Sequence, residues 1–160
     1  MIRLRASIIL LRVAATLLIF NGAGHLIGHF VERPPAASDE ERQLWQLFTT
    51  HAWEMFGQQR TLHDLQQGYS LSFSVFSFLA AGLSLAVASG SVSRTVLGAV
   101  TFWNAVCLSL LAAVMQRYMV LPPLVLLAGA AVCCWVSFVV LGREPRAGAA
   151  AQSRASGQPS

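Results

Sequence analysis

Four long stretches of this chain carry no charged side chain, and that constrains its fold more than any other feature. No Asp, Glu, Lys or Arg lies between Arg12 and Glu32, Asp64 and Arg94, Arg94 and Arg117, or Arg117 and Arg143. The gaps hold 19, 29, 22 and 25 residues. A helix that crosses the hydrocarbon core needs roughly 20 apolar residues. In lipid every backbone N–H and C=O must be satisfied within the protein, so a span defaults to helix. Each gap therefore predicts one span, at about 10–31, 66–89, 95–115 and 121–142. Composition agrees, with 55% hydrophobic and 11% charged residues, against about a quarter charged in soluble domains. It excludes a disordered chain, a coiled coil and an ordinary water-soluble enzyme. The expected fold class is an all-α membrane protein, a four-transmembrane-helix bundle over residues 1–143 whose first partner is the lipid bilayer. Residues 144–160, rich in Ala, Gly and Ser, have nothing to bury and are expected to form a disordered cytoplasmic tail.

Arginine placement sets the expected orientation. With both termini in the cytoplasm, Arg3, Arg5, Arg12, Arg94, Arg143, Arg146 and Arg154 are inside, opposed by Glu144 alone. Arg33, Arg42, Arg60 and Arg117 are then outside, against Glu32, Asp39, Glu40, Glu41, Glu54 and Asp64. The balance is +6 inside and −2 outside, which predicts a multi-pass protein of a bacterial inner membrane with N- and C-termini cytoplasmic. All eleven basic residues are arginine; no nucleic-acid partner is expected. Arg3, Arg5 and the following apolar run resemble a signal peptide, but Arg12 interrupts the run, and His25 and Gly28 continue the helical pattern beyond any cleavage site.

The connection over 32–65 is too long to be passive in so small a protein. Pro34–Pro35 stops the first helix, and Ser38-x-x-Glu41 reads as a capping box, with Asp39 and Glu40 favouring the positive helix end. Leu44, Leu47, Phe48, His51, Ala52 and Met55 share one stripe at helical spacing. Trp45 and Trp53 suit the headgroup level. An amphipathic surface helix is expected over 39–56, ended by Gly57, with Thr61-x-x-Asp64 as a second capping box opening the next span.

Polar residues inside spans are expensive and face the protein interior. In the first span Asn21, His25 and His29 share a face at i, i+4 and i+8, beside Gly24-x-x-x-Gly28, a pattern that permits close helix approach. The second span carries Ser70, Ser74, Ser77, Ala81 and Ser84 on one stripe. Gly129, Cys133 and Ser137 line up in the fourth. Packing is the ordinary role of such stripes. Asn21 and Asn104 lie at similar depth, since each helix advances about 1.5 Å per residue, and an Asn21–Asn104 contact is expected.

All four histidines fall in the outer half. One reading is a polar cap where His25, His51, Glu54, Arg60 and Asp64 meet and bind a lipid-like or small polar ligand, or a membrane-protein partner or second copy. The plainer reading gives Arg60 and Asp64 an i, i+4 ion pair and leaves the histidines bonded to carbonyls. The alternative function is a membrane enzyme or redox protein using His25, His51 and Glu54 for proton transfer or cofactor ligation. No catalytic residue, cofactor or metal is assigned, because the third and fourth spans hold no histidine to complete a two-sided haem site. Cys107, Cys133 and Cys134 lie within spans, and no phosphate loop, nucleophile elbow or H-E-x-x-H occurs.

The run G-H-L-I-G at Gly24–Gly28, followed by H-A-W-E-M-F-G-Q-Q-R-T-L-H-D-L-Q-Q-G at His51–Gly68, resembles a family of small uncharacterised bacterial four-helix membrane proteins. That family carries G-H-x-x-G in its first helix and G-x-x-R-T/S-x-x-D-x-x-x-G before its second. The resemblance covers most of residues 10–142. It implies the same four-span fold and singles out His25, His51, Glu54, Gly57, Arg60, Asp64 and Gly68; it implies no activity. His63 and His29 stand outside the pattern.

Overall fold

The computed structural model describes residues 2–90, 92–118 and 121–142. Its elements run α1 (Ile2–Phe30), α2 (Asp39–Thr50), β1 (Ala52–Met55), β2 (Gln58–Thr61), α3 (Leu62–Ser89), α4 (Arg94–Tyr118) and α5 (Leu121–Gly142). Four of the helices, α1, α3, α4 and α5, are long and apolar enough to cross a membrane, and the chain is a multi-pass membrane protein. Two of them start earlier than the charge-free gaps suggest. Helix α1 continues back through Arg12, Arg5 and Arg3, and α3 begins at Leu62 because its cap lies at Thr61. The expected tail at 144–160 lies outside the described residues.

Small residues decide how the helices meet. Helix α1 packs between α3 and α5, α4 lies on α5, and α3 touches α4 lightly. The predicted stripe on α3 is buried at Ser74, Ser77, Ala81 and Ser84, and Ala88 extends it. Gly22 makes the tight approach to α3: a Cβ there would stand 3.1 Å from both Ser77 and Phe78. Gly24 and Gly28 do not fill the role expected of them, since an added Cβ at either meets nothing within 4 Å. On the other side, Gly129 of α5 receives Leu17, and Ser137 donates to the Ser7 carbonyl at 3.1 Å. Leu11, Ala14, Ala15 and Leu18 of α1 form the centre of the core with Leu127, Ala130 and Cys134 of α5.

The two asparagines do not pair. Asn21 Nδ2 donates to Ser77 Oγ at 3.1 Å, and Asn104 Nδ2 donates to Ser84 Oγ at 2.8 Å. Both amides thus spend a donor on α3, two helical turns apart. Seven residues of helix is about 10 Å, so the two amides do not share a level, and α1 and α4 are diagonal in the packing order.

The loop holds the largest departure from expectation. The surface helix stops at Thr50, with the His51 N–H closing its last turn on the Leu47 carbonyl at 2.9 Å. Residues 52–61 are an antiparallel hairpin that pairs Trp53 with Arg60 and Glu54 with Gln59. Its two-residue turn is Phe56–Gly57, with φ of 52° and 77°, the positive pair that a type I′ turn requires. Gly57 is therefore a hairpin turn residue and not a helix stop.

Candidate functional site

Helix α2 is held over the ends of α1 and α3 by a clasp at its first turn. Ser38 is the N-cap and accepts from the Glu41 N–H at 3.2 Å. The Glu41 carboxylate does not return to Ser38 as in a full capping box; it accepts from the Ala37 N–H at 2.8 Å and from Arg33 at 2.8 Å. Arg33 also lies over the Trp45 ring, 4.1 Å from its centroid. One guanidinium thus joins the segment after α1 to both the start and the underside of α2. The Ala37 N–H first, and Arg33 after it, hold the Glu41 carboxyl below its ordinary value of 4.5.

On α3 the second capping box is complete. Thr61 Oγ1 accepts from the Asp64 N–H at 3.1 Å, and Asp64 accepts from the Thr61 N–H at 2.9 Å. This fixes His63 at the top of α3, where its ring meets Trp45 at 5.6 Å and Phe48 at 6.0 Å, both edge-on. Gln67 supports the ring from one turn below, 3.2 Å from Nε2.

Between these elements lies an open cleft of about 1260 Å³. Gly28 to Arg33 form one wall, the underside of α2 forms the roof, and Leu62, His63, Gln66 and Gln67 form the other wall. Trp53 reaches in from β1, with His51 against it at 4.6 Å. Leu44 and Leu47 are 67% and 58% exposed and face this cleft, so the apolar stripe of α2 has no partner among the described residues over most of its area. The lining is mainly apolar and aromatic, with polar groups from His29, His51, His63 and the two glutamines and charged ones from Glu32, Arg33 and Glu41 at its α1–α2 edge.

Of the residues expected to form the site, only His51 lines the cleft. His25 lies one turn deeper than His29 on α1, edge-on to Phe73 at 4.6 Å, and its carbonyl accepts from Ser70 at 3.5 Å. Ser74 is buried and donates to the Ser70 carbonyl at 3.1 Å. Glu54 is exposed on β1. Arg60 is exposed on β2 and donates to Gln58 at 2.7 Å; it bridges neither Glu54 nor Asp64. Asp64 is occupied by its cap. The hairpin causes these differences, because it carries Glu54 and Arg60 away from the end of α1. His29 and His63, which the sequence reading set aside, are cleft residues instead. Their signal was local: His29 follows His25 on one helical face, and His63 sits inside the Thr61–Asp64 cap.

The cleft histidines do not converge on a point. Among the described residues no group of three or more His, Cys, Asp or Glu side chains is placed to hold a metal ion. Comparison with family models, with curated protein sequences and with solved structures returned no match.

Proposed function

We propose that this protein is a membrane binding module that takes a lipid-like amphiphile into the cleft beneath α2. The observation that carries the reading is the exposure of Leu44 and Leu47 toward a large cleft that also holds three imidazoles. A tail moved from bilayer to cleft gains little, since lipid is already apolar, whereas one taken from water gains about 0.8 kcal/mol per buried methylene. Preference for one membrane amphiphile over another must therefore come from the polar lining. His29, His51, His63, Gln66 and Gln67 supply hydrogen-bonding groups for a head, and Leu44, Leu47, Phe48 and Trp53 supply the surface for a tail. The cleft sits at the C-terminal end of one apolar helix and the N-terminal end of another, the level at which amphiphiles collect.

The arginine distribution supports an orientation with both termini cytoplasmic and the cleft on the outer face of a bacterial inner membrane. Of the residues singled out by the family resemblance, His51 lines the cleft, and Asp64 caps the helix that carries His63.

The test uses Trp45 and Trp53 as reporters in a Trp103→Phe, Trp135→Phe background, with dibromostearate titrated into the protein in detergent micelles. Saturable quenching that is lost in Leu47→Arg supports the cleft as the site. Leu47 is exposed, so the substitution leaves the fold intact. Quenching that rises without saturation, and equally in Leu47→Arg, contradicts the reading.

A further inference from the structure

Three buried side-chain atoms of α1 lack a hydrogen-bond partner among the described residues: Asn21 Oδ1, His25 Nε2 and His29 Nδ1. Buried polar atoms are nearly always paired, and each exception needs a cause. These three belong to residues spaced at i, i+4 and i+8, about 6 Å apart along the axis of one helix. The protein itself covers them, so contact with lipid does not explain them. Asn21 is 2% exposed. Its Nδ2 already serves Ser77, and turning the amide over merely leaves a different atom unpaired.

We infer that a file of bound water runs along the seam of α1 and α3 from the cleft down to Asn21. A single water bonded at about 2.9 Å to each neighbour spans close to the 6 Å rise between successive members of the row. A buried water makes two to four bonds, and the seam offers further partners in the hydroxyls of Ser70 and Ser74. Entry is from the cleft, because His29 belongs both to the row and to the cleft wall. Gly28, beside it on the same wall, has open space where a side chain would stand. The file places the His25 ring, well inside an apolar helix, in proton exchange with the aqueous phase at the cleft. It does not depend on what the cleft binds.

The experiment is water-to-protein magnetisation transfer in solid-state NMR on the full chain in lipid bilayers, with nitrogen-labelled His, Asn and Trp. The Trp135 indole N–H, bonded to Ser109 between α4 and α5 at 3.0 Å, is the dry reference. The His25 ring and the Asn21 amide are expected to receive water magnetisation several-fold faster than Trp135. In Gly28→Leu, which adds bulk at the mouth without a clash, both should slow to the Trp135 rate while Trp135 itself is unchanged. Transfer to His25 and Asn21 as slow as to Trp135 in the unmodified protein overturns the inference. So does fast transfer that Gly28→Leu and His29→Phe both leave unaltered.

Discussion

The Asn21 amide donates to the Ser77 hydroxyl at 3.1 Å, beside the point where Gly22, the next residue, lets α1 approach Ser77 and Phe78 of α3. Close approach and polar contact are thus one device. The glycine removes the side chain that would hold the helices apart, and the bond fixes their register. An equivalent bond, Asn104 to Ser84, is the polar link across the lightly packed α3–α4 contact.

Coupling energies should follow these bonds. Asn21→Leu and Asn104→Leu are each expected to cost about 0.6–2 kcal/mol, the range for interhelical polar contacts in membranes. In thermal-stability cycles Asn21→Leu should be non-additive with Ser77→Ala, and Asn104→Leu with Ser84→Ala. Asn21→Leu and Asn104→Leu together should add to within about 0.5 kcal/mol, because they share no partner. Strong coupling between the two asparagines would contradict the helix order described above.

The α2 clasp should open in acid. Glu41 has its carboxyl lowered below 4.5 by the Ala37 N–H and Arg33, so the ion binds these groups more tightly than the acid does. The contribution is complete above pH 4.5 and is lost as pH falls through the depressed value. Trp45 fluorescence, sensitive to the Arg33 cation above its ring, should therefore shift in the native protein below pH 4.5. In Glu41→Gln it should already be shifted at neutral pH and should stay flat on acidification. A matching acid transition in both proteins would assign the effect to another group.

How much of this was legible in the sequence depends on the kind of signal. The spans were, because a charge in lipid is costly and its absence over about 20 residues has few other causes. The Thr61–Asp64 cap and the Ser74–Ser77–Ala81–Ser84 stripe were too, since both rest on fixed local spacing. The hairpin was not. Ala52, Glu54, Met55, Gln58, Gln59 and Arg60 all have good helix propensity, and the stripe through His51 and Ala52 continues the α2 pattern. The outcome turns on the backbone at Phe56–Gly57 and on Thr61, which must be extended to cap α3. The cleft was hidden for the same reason: its membership depends on where the hairpin sends the chain. The helix order that separates Asn21 from Asn104 has no local signature at all.

The hairpin turn carries a correctable strain. Phe56 has φ of 52° and is fully exposed at 102%, so its side chain contributes no burial to offset a backbone that L-residues avoid. Phe56→Asn should stabilise the hairpin by on the order of 1 kcal/mol, since Asn tolerates this region. Gly57→Ala should destabilise it by a similar amount. Hydrogen exchange at the paired amides of 52–61 reads both effects, and an unchanged pattern in Gly57→Ala would argue against the turn.

Arg60 and Asp64 should now separate in their effects. Arg60→Ala removes a contact to Gln58 on the surface and is expected to leave exchange in α2 unaltered. Asp64→Ala removes one of the two capping-box bonds and should destabilise the start of α3, with Asp64→Asn intermediate. Faster exchange in the first turn of α3 and at His63 should accompany it. If Arg60→Ala loosens α2 as much as Asp64→Ala loosens α3, the guanidinium has a partner in the bilayer other than Gln58.

The orientation prediction rests on the strongest asymmetry in the chain. If the four apolar helices alternate across the bilayer, seven arginines opposed by one acid fall on one side and four arginines opposed by six acids on the other. Arginine near span ends is retained on the cytoplasmic side during insertion, whereas acids have little influence. Arg3, Arg5 and Arg12 all belong to the first half of α1, the helix that usually dominates the choice, and Arg94 opens α4 from the same side. Reporter fusions at residue 150 should therefore score cytoplasmic, and fusions near residue 40 should score periplasmic. Replacing Arg3, Arg5 and Arg12 together with Gln should produce a mixed population, since Arg94 and Arg143 still hold the later spans. A reporter at residue 40 that scores cytoplasmic in the unmodified chain would place the cleft on the inner face, and with it the supply of any amphiphile it binds.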